Sequence, residues 1–314
     1  MRNPKSTDIY FVLNPIIINS KLFCMSTLYY PSKNTFMIVC NLIVCAVAVA
    51  SLTVIQSIDI LEDKNTNVCN FSQYMWQPLL TLQTLAAFLS VLVFTRRLNK
   101  EISKLNSVLK NLKSTWNNTY FWSLLIVLNS IMLVVCYCMQ YYVALWEIPK
   151  YLCVVSIYME IGSTIPGIQF VSMLLCIRNY FKTLNLRTIL INQSYEHHRI
   201  LSQEVTNKNK TQVCCNKINS YLRLTSRTHT DLCDIAESIN FSYSFVTLVT
   251  FTRFFILTIH VAYYIFTTFV LQEATCERVS KLSYYMWFFH QWMIILYFIY
   301  AAKSTADEVC INFI

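Results

Sequence analysis

The sequence predicts an all-α membrane protein, a bundle of six transmembrane helices with long cytosolic helical extensions and a cytosolic N-terminus. Three observations lead to this fold class. The 314 residues are 55% hydrophobic and only 13% charged, whereas soluble domains carry about 25% charged residues. The apolar residues fall in runs of roughly 20, the length that a helix needs to cross the hydrocarbon of a bilayer. The basic residues lie on alternate loops between these runs.

The apolar runs define six spans in order along the chain. The predicted spans are residues 36–58, 74–94, 120–145, 151–177, 241–270 and 284–302. Because only residues 146–150 separate the third span from the fourth, these two helices are expected to run antiparallel beside each other. The fourth span contains Gly162 and the pair Pro166-Gly167, and a proline inside a helix is expected to kink it.

The distribution of Lys and Arg gives the predicted orientation. Twenty of the 25 basic residues lie in residues 1–35, 95–119, 178–240 and 303–314. Four lie in residues 59–73, 146–150 and 271–283, and Arg253 is the remaining one. Since basic residues are enriched on the cytosolic side of membrane proteins, the first four segments and both termini are predicted to be cytosolic.

The spans and the cytosolic segments together give the domain organisation. A cytosolic N-terminal segment (1–35) precedes spans one to four (36–177), which enclose the cytosolic loop 95–119. A cytosolic loop and helical base (178–240) connects them to spans five and six (241–302). The last segment, residues 303–314, is expected to be a truncated cytosolic tail.

Helical extensions are predicted where an apolar stripe continues beyond a span. Leu98, Ile102, Leu105, Leu109 and Leu112 recur at helical spacing in the basic loop 95–119, so the second span is predicted to continue into the cytosol. The stretch from His229 to Val270 contains no Gly or Pro and is predicted to be one helix that starts in the cytosol and crosses the membrane. Its polar half carries Leu232, Ile235 and Ile239, the predicted packing stripe of the cytosolic base.

The composition argues against several classes of function. The net charge of +9 is accounted for by the cytosolic segments, so no nucleic-acid partner is predicted. The five His residues are scattered over loops and spans without a nucleophile or a metal-ligand spacing, and no CxxC pair occurs. No enzyme activity, cofactor or metal is therefore predicted. Asn70 heads the only glycosylation sequon on the predicted outer side and is the predicted glycosylation site.

Polar and aromatic side chains recur in the outer halves of the predicted spans. Because polar groups inside a membrane are costly and usually face the interior of a bundle, they are predicted to line a ligand cavity open to the outside. The predicted ligand-binding residues are Trp76, Gln83, Tyr137, Tyr141, Glu160, His260, Tyr264, Trp287, His290 and Gln291. Such a lining suits a small organic ligand. The aromatic members also fit an interfacial belt that binds no ligand.

Two charges lie inside predicted spans, Glu160 and Arg253. An unpaired charge there costs about 2.5–3.5 kcal/mol on insertion scales. Arg253, Leu257, His260 and Tyr264 are spaced by four, three and four residues and share one helix face. We therefore expect Arg253 to face the bundle interior and to pair with Glu160 or with backbone carbonyls. The alternative is that Arg253 extends toward the cytosolic headgroups.

Three parts of the sequence resemble insect gustatory receptors. The first is His229-x-x-Leu232, followed by Ile239-Asn240 and by a span with Tyr263-Tyr264. The second is the segment 296–309 at the exit of the sixth span. The third is the segment 8–15, followed by Lys21-Leu22-Phe23. The resemblance covers most of the chain in topology. It implies a receptor subunit of a ligand-gated cation channel, in the plasma membrane of sensory neurons, that detects a small tastant and signals in taste perception. It also implies a homo- or hetero-tetramer with other gustatory receptors, embedded in the lipid bilayer.

The sequence departs from the family pattern at one point. The family carries a seventh helix with Thr-Tyr, an aliphatic run and Gln-Phe, which lines the pore, and this signature does not occur here. No pore residue is therefore assigned, and the chain is expected to be a truncated or divergent receptor.

Four alternatives remain at this point. They are an insect odorant receptor subunit, a non-conducting truncated receptor, a transporter and a G-protein-coupled receptor. A transporter is expected to show internal repeats with broken, Gly-rich helices, and the sequence contains two glycines. A G-protein-coupled receptor has its N-terminus outside, on the side opposite to the one predicted here.

Overall fold

The structure is a computed structural model that describes four long helices and a few isolated positions. The described residues are 13, 17, 18, 43, 46, 50, 68–112, 131, 135, 150–204, 208–270 and 278–310. The helices are α1 (Val68–Leu112), α2 (Lys150–Glu204), α3 (Lys208–Val270) and α4 (Arg278–Cys310). Every described residue is helical, which confirms the all-α class. Most of the predicted spans 36–58 and 120–145 lies outside the described residues.

One described stretch passes a length and composition test for a membrane span. It is Ile218–Tyr263, and Pro78–Ser90 is a shorter apolar helix. Among the helices that the structure describes, this single stretch does not establish a bundle of six spans. The number of spans therefore stays a prediction.

All four helices extend beyond the spans predicted from the sequence. α1 continues past Phe94 to Leu112, and α2 continues to Glu204. α3 joins the polar and the apolar halves in one helix of 63 residues that ends at Val270. α4 continues to Cys310, so the expected tail at 303–310 is helical instead. It contains no Gly or Pro, and the hydroxyl of Thr305 donates to the Ala301 carbonyl one turn earlier at 2.7 Å.

The Pro and Gly residues of α2 do not interrupt the helix. α2 is one continuous helix through Pro166, so the helix does not end at this residue. The predicted kink there stays a prediction. Gly167 allows a close approach of α4, because a Cβ atom at this position would lie 2.9 Å from Cζ of Phe298. A side chain at residue 167 would therefore overlap the Phe298 ring.

α2 is the central helix of the described part of the chain. It packs against α1, α3 and α4, and α1 also packs along α3. From Gly162 to Ile177 nearly every residue of α2 is buried, whatever direction its side chain takes. A helix that is buried all round occupies the middle of a bundle. The other three helices each expose an apolar face.

The extensions of the four helices, which the sequence predicts to be cytosolic, meet in one apolar cluster, which we call the base core. Its members include Leu98, Ile102 and Leu105 of α1, Phe181 and Leu184 of α2, Leu232, Ile235 and Ile239 of α3, and Ala301 of α4. The structure thus buries the whole stripe that the sequence assigned to base packing. Leu13 and Ile17 of the N-terminal segment belong to the same cluster. Burial of each such Leu or Ile side chain contributes about 1.5–3 kcal/mol.

Candidate functional site

A buried polar contact joins α1, α2 and α3 within their apolar halves. We call Gln83, Ser163, Thr250 and Arg253 the polar junction. Nη1 of Arg253 donates to Oε1 of Gln83 at 2.6 Å. Nε2 of Gln83 donates to the carbonyl oxygen of Ser163 at 3.3 Å and to the hydroxyl of Thr250 at 3.2 Å.

Helical spacing explains how these residues meet. On α1, Leu80, Gln83, Thr84 and Ala87 are all buried and recur every three or four residues, so Gln83 lies on the inner face. On α3, Thr250 and Arg253 are three residues apart and point toward the same neighbour. Gln83 is long enough to reach both α2 and α3. Its amide therefore connects three helices.

The network determines the orientation of the Gln83 amide. The Ser163 carbonyl can only accept a hydrogen bond, so it requires the NH₂ group on its side, and the Thr250 hydroxyl accepts from the same group. The carbonyl oxygen of the amide consequently faces the guanidinium of Arg253. A hydrogen bond from a charged donor is shorter and about twice as strong as a neutral one, in agreement with the 2.6 Å distance.

Arg253 lies far from the base core along the helices. Its side chain is 4% exposed. Nearer the base core of the same helix pair, Arg97 donates to the Ser238 hydroxyl at 2.8 Å and lies over the ring of Phe241. Gln83 and Arg97 are 14 residues apart on α1, or about 21 Å along the helix. An Arg side chain cannot cover that distance, so Arg253 does not extend to the level of Arg97 in this arrangement.

Three further candidates lie on described parts of α3 and α4. His290 and Gln291 are buried on α4, and His260 is half-buried on α3. Among the described residues, neither ring nitrogen of His290 has a hydrogen-bond partner, and the same is true of the buried Nδ1 of His260. In the described part of the chain, no hydrogen bond links either histidine to the polar junction. The two rings thus offer donors or acceptors that the protein itself does not use.

The other candidate residues are not placed by their side chains. Trp76, Glu160, Tyr264 and Trp287 occupy described helical positions, but their side chains lie outside the described part, as do Tyr137 and Tyr141 altogether. The sequence proposed Glu160 or backbone carbonyls as partners of Arg253; Gln83 is a described partner, and the pairing with Glu160 stays a prediction. Glu160 precedes Ser163 by three residues on α2. Asn70 lies in the first turn of α1, where the sequence predicted a loop, and its side chain is not described.

Sequence reasoning did not identify Ser163 or Thr250, because short hydroxyl side chains are common in spans. It also missed a second polar contact nearer the base core, in which the Tyr243 hydroxyl donates to Oε1 of Gln169 at 3.3 Å. The Tyr243 ring packs on Phe170 with centroids 5.4 Å apart.

The described residues contain no group of three His, Cys, Asp or Glu placed to hold a metal ion. In comparisons with known proteins, no protein-family model and no curated protein matches the chain.

Proposed function

We propose that the chain is a multi-pass membrane receptor subunit of the insect gustatory type. A small tastant binds among the outer halves of the helices and biases a cation channel assembled from four chains, which are copies or other gustatory receptors. The bundle crosses the plasma membrane of a sensory neuron six times, with its N-terminus and its helical base in the cytosol. The spans at 36–58 and 120–145 complete the four described helices.

The exposed apolar surface is the observation that carries the membrane part of this proposal. Only 28% of the apolar window in Ile218–Tyr263 is buried, whereas the core helix of a soluble protein is mostly buried. Leu248, Phe255 and Ile259 each expose more than half of their side chains on this helix. α1 and α4 expose apolar side chains in the same way, for example Val93 and Leu296. Contiguous apolar surface on this scale calls for lipid or protein rather than water.

The base core supports the proposed orientation. Leu13 and Ile17 belong to the same apolar cluster as Leu98 and Ile235, so these two residues of the N-terminal segment lie at the same end of the bundle as the helical extensions. The Lys and Arg residues are concentrated in the same segments, and the positive-inside rule assigns that end to the cytosol.

The polar groups in the apolar halves support a ligand site. Polar side chains inside spans are rare and face the bundle interior or a cavity. His290 is buried and its two ring nitrogens are unpaired, which costs free energy unless a ligand or water completes the hydrogen bonds. A tastant with hydroxyl or amine groups supplies such partners. His260, Gln291 and the polar junction provide further polar groups on neighbouring helices.

A recording of ligand-evoked current tests the function. The chain is expressed in cells, alone and together with a conducting gustatory receptor, and a tastant panel is applied. We expect a cation current whose half-maximal ligand concentration rises at least about tenfold in His290→Leu, the effect of losing a buried hydrogen bond of about 1.4 kcal/mol. Phe289→Leu is the matched control, because Phe289 is 53% exposed and points away.

Two results would contradict the proposal. One is an N-terminal tag that is accessible from outside intact cells. The other is a ligand response that His290→Leu and Phe289→Leu change equally.

A further inference from the structure

The seam between α2 and α4, at the cytosolic end of the apolar segments, carries positive charge, and within the described residues none of its basic side chains forms an ion pair. Nη1 of Arg178 on α2 donates to the hydroxyl of Tyr300 on α4 at 3.2 Å. The guanidinium carbon lies 5.6 Å from the centroid of the same ring. Nε of Arg178 is buried and has no hydrogen-bond partner.

Two lysines lie within one helical turn of this contact. Lys182 follows Arg178 by four residues and Lys303 follows Tyr300 by three, so both share the face of the residue that precedes them. Both side chains are exposed, and neither takes part in a hydrogen bond or ion pair in the described part of the chain. Contacts on either side hold the helices together here. They are Thr305 to the Leu174 carbonyl at 3.2 Å and Asn185 to the Glu308 carbonyl at 2.9 Å.

The segments 174–182 and 296–304 contain three basic residues and no Asp or Glu. Like charges at a spacing of four residues destabilise a helix, so Arg178 and Lys182 favour an anion between or beside them. The acidic residues of α4 lie further into the base. Asp307 is one turn beyond Lys303, and the Glu308 carboxylate lies 3.4 Å from the Asn185 amide nitrogen.

The seam between α1 and α3 shows the contrast. Arg97 also contacts a hydroxyl and an aromatic ring there. In that seam, however, Glu101 follows Arg97 by four residues and Glu237 precedes Ser238 directly. The Glu101 carboxylate pairs with Lys104 at 3.2 Å, so a carboxylate of the protein itself already neutralises a basic residue beside this seam. In the α2–α4 seam, by contrast, neither Arg178 nor Lys182 has an acidic residue within one turn on α2, and the nearest acidic residue to Lys303 on α4 is Asp307, one turn further into the base.

We propose that the α2–α4 seam binds the phosphorylated headgroup of a phosphoinositide from the inner leaflet. Arg178, Lys182 and Lys303 contact the phosphate oxygens, and the Tyr300 hydroxyl holds the guanidinium of Arg178 in place. The acyl chains lie along Leu296 and Ile299, which are exposed on α4 just before Tyr300. Basic pockets between helices at the cytosolic surface bind such headgroups. The inference rests on the cytosolic placement of this seam in the proposed function.

The test uses the purified full chain in phosphatidylcholine nanodiscs, with and without phosphatidylinositol 4,5-bisphosphate, and native mass spectrometry of bound lipid. Each basic residue near an anionic surface contributes about 1 kcal/mol, so Lys182→Gln and Lys303→Gln are each expected to weaken binding about fivefold. The double variant is expected to lose about 25-fold. Lys100→Gln, the same change on α1, is the matched control and is expected to stay within twofold.

Three results would overturn the proposal. The first is an equal loss of lipid affinity in Lys100→Gln and Lys303→Gln, and the second is an unchanged lipid affinity in the double variant. The third is an affinity for soluble inositol trisphosphate equal to that for the lipid, which would make a soluble phosphorylated compound, rather than a membrane lipid, the ligand. Because lipid binding is measured without tastant or current, its failure leaves the receptor function untouched. A failed tastant response likewise leaves the lipid site untouched.

Discussion

Arg253 of α3 and Gln83 of α1 form a hydrogen bond of 2.6 Å at a depth where both side chains are almost fully buried. The amide oxygen is the described acceptor for a full positive charge. Gln83→Leu removes that acceptor and leaves the guanidinium less well solvated, at an expected cost of about 1–3 kcal/mol. We expect a lower melting temperature in detergent and reduced surface expression. Gln83→Glu keeps an acceptor for the guanidinium but loses the donation to the Ser163 carbonyl, so it is expected to cost less stability than Gln83→Leu.

Equal destabilisation by Gln83→Leu and Gln83→Glu would contradict this account of the contact. The ion pair predicted from the sequence has its own test. If Glu160 also pairs with Arg253, exchanging the residues at 160 and 253 should restore surface expression that each single variant loses. Absence of rescue leaves Gln83 as the described partner.

The close approach of α2 and α4 at Gly167 predicts a steric effect. In Gly167→Ala the new Cβ atom would lie 2.9 Å and 3.1 Å from two ring carbons of Phe298. The ring is held between Phe170 and Phe251, with centroids 5.9 Å and 5.7 Å away, so it cannot move aside freely. Overpacking costs about 1–3 kcal/mol, more than the 0.5–1 kcal/mol by which Ala favours a helix over Gly.

We therefore expect Gly167→Ala to lower the melting temperature, as measured by thermal unfolding in detergent. The double variant Gly167→Ala with Phe298→Leu provides the control, because the smaller side chain opens space for the methyl group. The double variant should be more stable than the sum of the two single effects. Additive effects would show that the two residues do not press on each other.

The base core predicts a large difference between two leucines of α3. Leu232 is 0% exposed and Leu224 is 60% exposed, eight residues earlier on the same helix. Leu232→Ala leaves a cavity and is expected to cost about 2–5 kcal/mol. Leu224→Ala is expected to stay within about 0.5 kcal/mol. Denaturation of the two variants in detergent measures the difference, and equal costs would mean that a partner covers Leu224.

The thiol of Cys233 in the base predicts a dependence on pH. Burial, together with the neighbouring carboxylate of Asp234, raises the pKa of this thiol above its ordinary value. A raised pKa lowers the thiolate fraction at any pH below it. In a variant with Cys233 as its single cysteine, we expect slow alkylation at neutral pH and a rate that increases into the alkaline range.

Asp234→Asn should move the alkylation curve of Cys233 to lower pH, because it removes the second cause of the shift. Asp231→Asn is the control, since residue 231 points to another side of the helix from Cys233. The rate is measured with a maleimide reagent over a range of pH. A curve that Asp234→Asn leaves in place would contradict the electrostatic contribution.

Helical periodicity allowed much of this fold to be predicted. The stripe of Leu232, Ile235 and Ile239 repeats every three or four residues, and the same repeat recurs in Leu98 and Ile102. Such repeats depend only on helix geometry and are visible in one dimension. The helical continuation of 303–310 was missed, because small polar residues are also common in tails. In that segment, the hydroxyl of Thr305 donates a hydrogen bond to the Ala301 carbonyl of the preceding turn.

The partner of Arg253 was not predictable for a different reason. A charge in a span indicates that a partner exists, and Glu160 is the only acidic residue inside a predicted span. The sequence therefore favoured Glu160 or backbone carbonyls and did not indicate Gln83. Which residue meets Arg253 depends on how α1 and α3 are rotated about their axes. An amide at 83 offers an acceptor without adding a second charge to the apolar region. That choice is set by the packing of three helices rather than by any one of them.

A rigid tilt of α3 would displace its two ends by unequal distances. It has no Gly or Pro at which to bend, and the contact at Arg253 divides it into unequal arms. By the helical rise, the outer arm to Val270 is about 26 Å and the inner arm to Lys208 is about 68 Å. A tilt of about 3° about that contact moves the outer tip by roughly 1.3 Å and the inner tip by roughly 3.5 Å. A rigid tilt of this kind would therefore displace the Lys208 end more than the Val270 end.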